Sequence, residues 1–305
     1  MELMIAFLLL IAAAAFILVR SKPKHDNYRG TSQRITVPPE PQNALGRELE
    51  SRIAEFMEAD CFSLMIQPVV DFRTDAVCSG EVLSRLNHPE RGVIFPDEFL
   101  TAIASVGLYP QFDRYIFQKS CAWLSRSMEK GEGLELLSCN FSRKTLSEAN
   151  LASDLTQIAD RYGIPHDRLA IEITEREQET DVEQFHSNLK QLKADGFRIF
   201  LDDYGSGVTT VKDLMQFPLN IVKIDRSILL AAETEQGKAA YRALVAMASE
   251  LGAEVVCEGI ETQEQSRFAR EAGCQYGQGF LFYRPISTDQ VFEMMEKSSI
   301  RREEV

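Results

Sequence analysis

Net positive charge is what this chain most lacks: 33 lysines and arginines stand against 46 aspartates and glutamates, a formal balance of -13. A surface built to grip a nucleic-acid backbone needs clustered basic residues to displace counterions, so a nucleic-acid polymer is not an expected partner. Paired cysteine is lacking too. Cys61, Cys78, Cys121, Cys139, Cys257 and Cys274 show no Cys-x-x-Cys spacing and nothing like the density of a small secreted scaffold, so they read as buried thiols in a reducing compartment. A single tryptophan among 45% hydrophobic residues is ordinary for a globular protein, and 305 residues suffice for one large domain.

Charge of either sign is absent from residues 3 to 19, a run at the lower limit of what crosses a bilayer as a helix. A cleaved signal peptide carries its positive charges ahead of the apolar run; here Glu2 precedes it, and Arg20, Lys22, Lys24 and Arg29 follow. That order predicts an uncleaved transmembrane anchor over 1–19 in the inner (cytoplasmic) membrane, with the rest of the chain in the cytoplasm. The alternative, a secretory signal releasing a periplasmic protein, is opposed by the charge order and by the cysteines. Residues 20–44 include Pro23, Pro38, Pro39 and Pro41 and read as an extended tether. The domain proper is expected over 45–298, with a charged tail over 299–305.

Within that domain, short apolar runs end again and again in a carboxylate or carboxamide: Glu81, Asn140, Glu172, Asp202 with Asp203, Asp225 and Glu258. Strands are expected near 62–70, 80–84, 134–140, 169–173, 199–201, 221–224, 254–257 and 279–282, rich in Val, Ile, Leu and Phe as strands covered on both faces should be. Segments of helical spacing lie at 45–57, 112–126, 151–162, 182–195, 239–251 and 263–272, with Gly163, Gly196 and Gly252 as stops. The alternation predicts an α/β fold, a closed (β/α)8 barrel of TIM type whose chemistry gathers at the carboxyl ends of parallel strands. A doubly wound open sheet is the alternative and leaves so many terminal acids unexplained. An unpaired carboxylate taken out of water costs several kcal/mol, so something cationic should sit among these acids. Any one of them alone reads equally well as a helix cap.

The motifs run in a definite order: Ser79-Gly80-Glu81-Val82-Leu83-Ser84-Arg85 with Gly92, Pro96 and Phe99 after it, then Asn140-Phe141-Ser142 and Glu172-Ile173-Thr174-Glu175. Leu201-Asp202-Asp203-Tyr204-Gly205-Ser206-Gly207, Val222-Lys223-Ile224-Asp225, Cys257-Glu258-Gly259-Ile260-Glu261-Thr262 and Gly277-Gln278-Gly279-Phe280 with Arg284-Pro285 follow. In this order and spacing, over 49–295, they resemble the EAL-domain family, bacterial phosphodiesterases that hydrolyse cyclic di-GMP. Val82 stands where the signature that names the family has Ala.

The resemblance implies that Glu81, Asn140, Glu172 and Asp202 hold one divalent ion and that Asp202, Asp203 and Glu258 hold a second, with Asp202 bridging. Hard oxygen ligands select Mg or Mn over Zn. Glu258, Lys223 and Asp203 become the catalytic candidates, and Gln67, Glu81, Leu83, Arg85 and Gln278 the contacts to cyclic di-GMP. Asp225 and Glu261 would support neighbouring loops; a helix N-terminal carboxylate explains Glu261 equally well. Adjacent aspartates in one strand face opposite ways, so the pair Asp202 and Asp203 should lie past the strand's end, where Gly205 and Gly207 permit a turn. Lys223, on a strand otherwise of Ile and Val, is costly to bury unless it meets an anion, which points to the phosphate; an ion pair with Asp225 or Asp203 is the plainer account.

The segment 203–210 departs mildly from the family's usual wording, chiefly at Val208, and in the family it couples metal binding to homodimerisation. No Gly-Gly-Asp-Glu-Phe-like segment is present, so synthesis of the dinucleotide is not expected. The expected activity is metal-dependent opening of cyclic di-GMP to linear pGpG. Its rivals are a catalytically silent receptor for the dinucleotide or a protein partner, and a carboxylate-metal barrel acting on another phosphate ester.

Overall fold

The computed structural model describes residues 42–131, 134–174, 181–205 and 211–303. The expected anchor over 1–19 lies outside the described residues, as do most of the tether over 20–44, part of the segment 203–210 and the last residues of the tail. Among the described residues no helix is long and apolar enough to cross a membrane.

Strands β1 (Phe62–Asp71) and β2 (Ala76–His88) form a long hairpin, paired antiparallel from Phe62 opposite Leu86 to Asp71 opposite Ala76. Six further strands, β4 (Leu136–Phe141), β5 (Leu169–Thr174), β6 (Arg198–Tyr204), β7 (Ile221–Ile224), β8 (Glu254–Cys257) and β9 (Tyr276–Gly277), line up parallel to β2, and β9 pairs back onto β1. Eight strands therefore close a barrel, but only seven are parallel. The all-parallel expectation fails at β1, which runs against its neighbours. The cause is local: the Asp71 carboxylate accepts from Arg73 N at 2.6 Å and Thr74 N at 3.2 Å, and Asp75 takes φ +56°, folding a tight turn too short for a parallel crossover.

Two small strands sit beside the barrel, β3 (Gly92–Ile94) on the far end of β2 and β10 (Ile286–Ser287) on β1. The final barrel strand also lies earlier than the expected 279–282. Gly279 is pressed against the backbone of Ile260, where an added Cβ would meet the carbonyl oxygen at 2.2 Å, and the chain turns there.

Around the barrel run α1 (Gln42–Glu58), α2 (Pro96–Ser105), α3 (Tyr109–Lys130), α4 (Arg143–Leu146), α5 (Leu151–Arg161), α6 (Val182–Ala194), α7 (Val211–Gln216), α8 (Arg226–Ala231), α9 (Glu235–Glu250), α10 (Gln263–Glu271) and α11 (Thr288–Glu303). Several start on side-chain caps; Thr262 and Gln265 form a full capping box at α10. Burial divides by the two-residue period of the strands. On β5, Ile171 and Ile173 face the helices, while Ala170 joins Val69, Leu136, Phe200, Ile221 and Val256 inside the barrel. Four cysteines are buried as expected, whereas Cys61 and Cys78 are half-buried; all six are free.

Candidate active site

The interior ring sets the level of the site. Two residues beyond Ala170, Phe200, Ile221 and Val256 come Glu172, Asp202, Lys223 and Glu258, on the same faces and one layer nearer the carboxyl ends. Glu81 joins that layer because the β2 register sets it opposite Gln67 on β1 and Ser138 on β4.

Lys223 Nζ stands at the centre. It lies 2.9 Å from Glu81 Oε2, 2.9 Å from Asp202 Oδ1 and 2.8 Å from Glu258 Oε1, and it also pairs with Glu172 Oε1. The plainer account of Lys223 holds in kind: it is an ion pair, and four acids of the strand ends take part in it. Gln278 Nε2 donates to Glu81 Oε2 at 2.9 Å and Asn140 Nδ2 to Glu81 Oε1 at 3.0 Å.

Asp203 reaches the cluster by a different route from the one expected. The pair of aspartates lies within β6, not past its end. Between Leu201 and Tyr204 the β6–β7 register slips, and Asp203 takes φ +56°. This bulge adds one residue on the inner side, so Asp202 and Asp203 both turn inward while Leu201 and Tyr204 pack outward among the helices. Carboxylate oxygens then fall into two groups, Glu81 with Glu172 and Asp202, and Asp202 with Asp203 and Glu258, each within 4.8 Å. Asp202 belongs to both.

Five carboxylates gather in the site, and four of them meet the one ammonium of Lys223. Burial, with repulsion from Glu81 and Asp202, pushes Glu172 up to about 8 against the pull of Lys223. Burial raises Asp202, and burial with the charge of Asp202 raises Glu258 well above the usual range. At Glu81 burial works the same way but is outweighed by Lys223 and the bonds from Gln278 and Asn140, leaving it lowered. Burial opposes the charge on Lys223 too, yet Asp202, Glu172, Glu258 and Glu81 together hold it well above the ordinary lysine range. Glu172 Oε2 and Gln278 Oε1 are buried without a hydrogen-bond partner, and Glu172 Oε1 and Asp202 Oδ1 meet Lys223 as charges without hydrogen-bond geometry. Unmatched negative charge, oxygen-only donors and orphaned buried oxygens suit hard divalent cations.

The other expected residues are distributed around this centre. Gln67 is half-buried and donates to Tyr283 O at 3.4 Å. Leu83 and Arg85 follow Glu81 along one face of β2, both half-buried; Arg85 bonds Ser84 O at 2.8 Å and stacks 4.9 Å over Phe95. Asp225 caps α8, accepting from Ser227 N at 2.9 Å. Glu261 pairs with Arg226 at 2.9 Å, tying the loop after β8 to the start of α8. Arg226 and Phe95 were not singled out from the sequence. An aromatic directly before Pro96, which opens a helix, was the available signal for Phe95; nothing marked Arg226.

A closed barrel with five carboxylates grouped around a buried lysine at its carboxyl ends defines a class: α/β barrels whose polar site sits at the strand ends, with oxygen donors spaced as a divalent cation would need them. The chain belongs to the EAL domain family, whose model matches residues 50–285. It is 28% identical over 240 residues to the cyclic di-GMP phosphodiesterase NbdA of Pseudomonas aeruginosa, covering 78% of this chain and 31% of that one. It is 30% identical over 230 residues to the bifunctional diguanylate cyclase/cyclic di-GMP phosphodiesterase MucR of the same organism, covering 75% of this chain and 33% of MucR. The solved phosphodiesterase part of MucR, in complex with c-di-GMP, matches at TM-score 0.74 and 28% identity over 80% of this chain and 99% of that one. The chain spans less than half the length of the curated relatives it matches.

Proposed function

We propose that the protein hydrolyses cyclic di-GMP to linear pGpG in a reaction that depends on two divalent ions, Mg or Mn. The observation that carries this is the pair of oxygen groups sharing Asp202 around Lys223. Glu81, Asn140, Glu172 and Asp202 would hold one ion and Asp202, Asp203 and Glu258 the other, and together the ions would supply charge neutralisation at the phosphate and a more acidic attacking water. Glu258 would accept that water's proton: it is half-buried beside Asp202, and desolvation with the charge of Asp202 raises its proton affinity. Lys223 presents a fixed positive charge to the phosphate oxygens as charge builds on them. Arg85, half-buried and without a carboxylate partner among the described residues, offers a fork to the second phosphate. Gln67, Leu83 and Gln278 line the approach.

The expected outcome is conversion of cyclic di-GMP to pGpG by the purified full chain with Mg or Mn, followed by chromatography. Chelation should abolish it, and Asp202→Asn, which removes the shared ligand, should lower kcat at least ~1000-fold. Binding of cyclic di-GMP without product would mean a receptor; activity on generic diesters alone would mean another phosphate ester. The anchor over 1–19, a cytoplasmic barrel and a homodimer complete the proposal, and they rest on the charge order around the apolar run and on family habit.

A further inference from the structure

A barrel of this size ordinarily fills its interior with layers of side chains. Here the filling is incomplete. Ser79, Ser138 and Ala170, on the neighbouring strands β2, β4 and β5, are small, and a cavity of about 280 Å³ opens beneath the site against both serines. Its outer end is lined by exposed groups of the barrel floor, Arg73 and Glu135, together with Arg198 and Tyr276. Its inner end is lined by Glu81, Lys223 and Gln278, each at most 7% exposed. Gln278 Oε1, at that inner end, is a buried acceptor with no hydrogen-bond partner. A polar cavity of this volume holds on the order of ten waters, since water leaves only apolar cavities dry.

We propose that the barrel floor is a second solvent entrance to the reaction centre, a water-filled passage from the surface at Arg73 and Arg198 to the underside of Lys223 and Glu81. The passage rests on the hydrolysis proposed above and explains how that reaction exchanges water. Each turnover consumes one water: its oxygen bonds to phosphorus, the P–O bond to the ribose oxygen breaks, and that oxygen takes one proton. The new phosphomonoester, with a second pKa near ~6, releases the other proton at neutral pH. A dinucleotide seated in the mouth covers the upper approach, so water and the released proton travel through the floor.

Cys78 lines the cavity and provides the test. With Cys61→Ser removing the other half-buried thiol, the full chain is treated with methyl methanethiosulfonate at pH 8.5, and modification of each cysteine is followed by mass spectrometry. The Cys78 thiolate forms a mixed disulfide and releases methanesulfinate. Cys78 should react at least ~100-fold faster than buried Cys121; equal rates would overturn the passage. Once modified, the protein should lose at least fivefold in kcat with KM within twofold, on the order of 1 kcal/mol of barrel-side effect, and dithiothreitol should restore it. Full kcat at complete modification would overturn the proposal. Ser138→Leu, which narrows the cavity from inside, should reproduce the loss, while Ser138→Ala should not; equal losses would assign the effect to the hydroxyl and sink the passage. If the unmodified chain hydrolyses nothing, the hydrolase proposal fails, and the labelling rates, which need no turnover, still decide whether the floor is open.

Discussion

Lys223 carries the largest share of the site's electrostatics. It is 2% exposed and answers four carboxylates at once, so removing it leaves those acids facing one another without a counter-charge. In the presence of chelator, Lys223→Met is expected to cost about 3 kcal/mol or more, a fall in Tm on the order of 6 °C, read by thermal unfolding. Added Mg should recover much of that stability, because the same acids then have a cation, whereas kcat should remain down at least ~100-fold. A Tm unchanged by the substitution would mean the acids are held apart by something other than Lys223. The reason a lone lysine among Ile and Val could be flagged from the sequence is that its burial demands a partner. Which partner depended on barrel closure, since Glu81, Glu172, Asp202 and Glu258 come from four other strands.

At the scale of elements, the bulge in β6 and the packing of the loop after β8 decide the geometry. Asp203 sits at φ +56°, where Asn and Asp are tolerated and Ala is not. Asp203→Asn and Asp203→Ala should both impair catalysis, yet the alanine variant should be less stable than the asparagine variant by about 1 kcal/mol, measured by urea unfolding. Equal stabilities would remove the bulge as the explanation for two inward aspartates. Gly279 is constrained by contact: a Cβ there would lie 2.2 Å from Ile260 O and 2.3 Å from Ile260 N. Gly279→Ala should therefore cost at least about 2 kcal/mol and, by moving Gln278 off Glu81, reduce kcat as well. Some helices were read closely, because an amphipathic stripe and a capping residue are local: 182–195 and 263–272 came within a residue of Val182–Ala194 and Gln263–Glu271, whereas 239–251 missed the first turn of Glu235–Glu250, 112–126 fell short of both ends of Tyr109–Lys130, and Pro96–Ser105 was not expected. The bulge, the reversed β1 and the two-residue β9 were not, because register and direction are settled by partners distant in sequence.

For the whole molecule, pH and metal act on one equilibrium. Glu172 holds its proton more tightly in the folded state, up to about 8 against an ordinary 4.5, and Asp202 and Glu258 shift the same way. Their contribution to stability is complete below about 4.5 and is lost as pH rises through the folded values, so chelated protein should melt at progressively lower temperature between pH 5 and pH 8. Glu81, shifted down, works oppositely and only at lower pH. Since metal binds the deprotonated acids, the gain in Tm on adding Mg should be larger at pH 8 than at pH 6. A gain independent of pH would mean the metal binds elsewhere.

Residue type and order determined the carboxylate set, the alternation of strands and helices and the family, because each is written in local pattern and spacing. Only the closed barrel decided that β1 runs backwards, that a bulge turns both aspartates inward, that Lys223 ties four acids together and that the floor beneath it stays open. Those outcomes depend on register between segments far apart in the chain, and register follows from which surfaces find one another once the hydrophobic layers close.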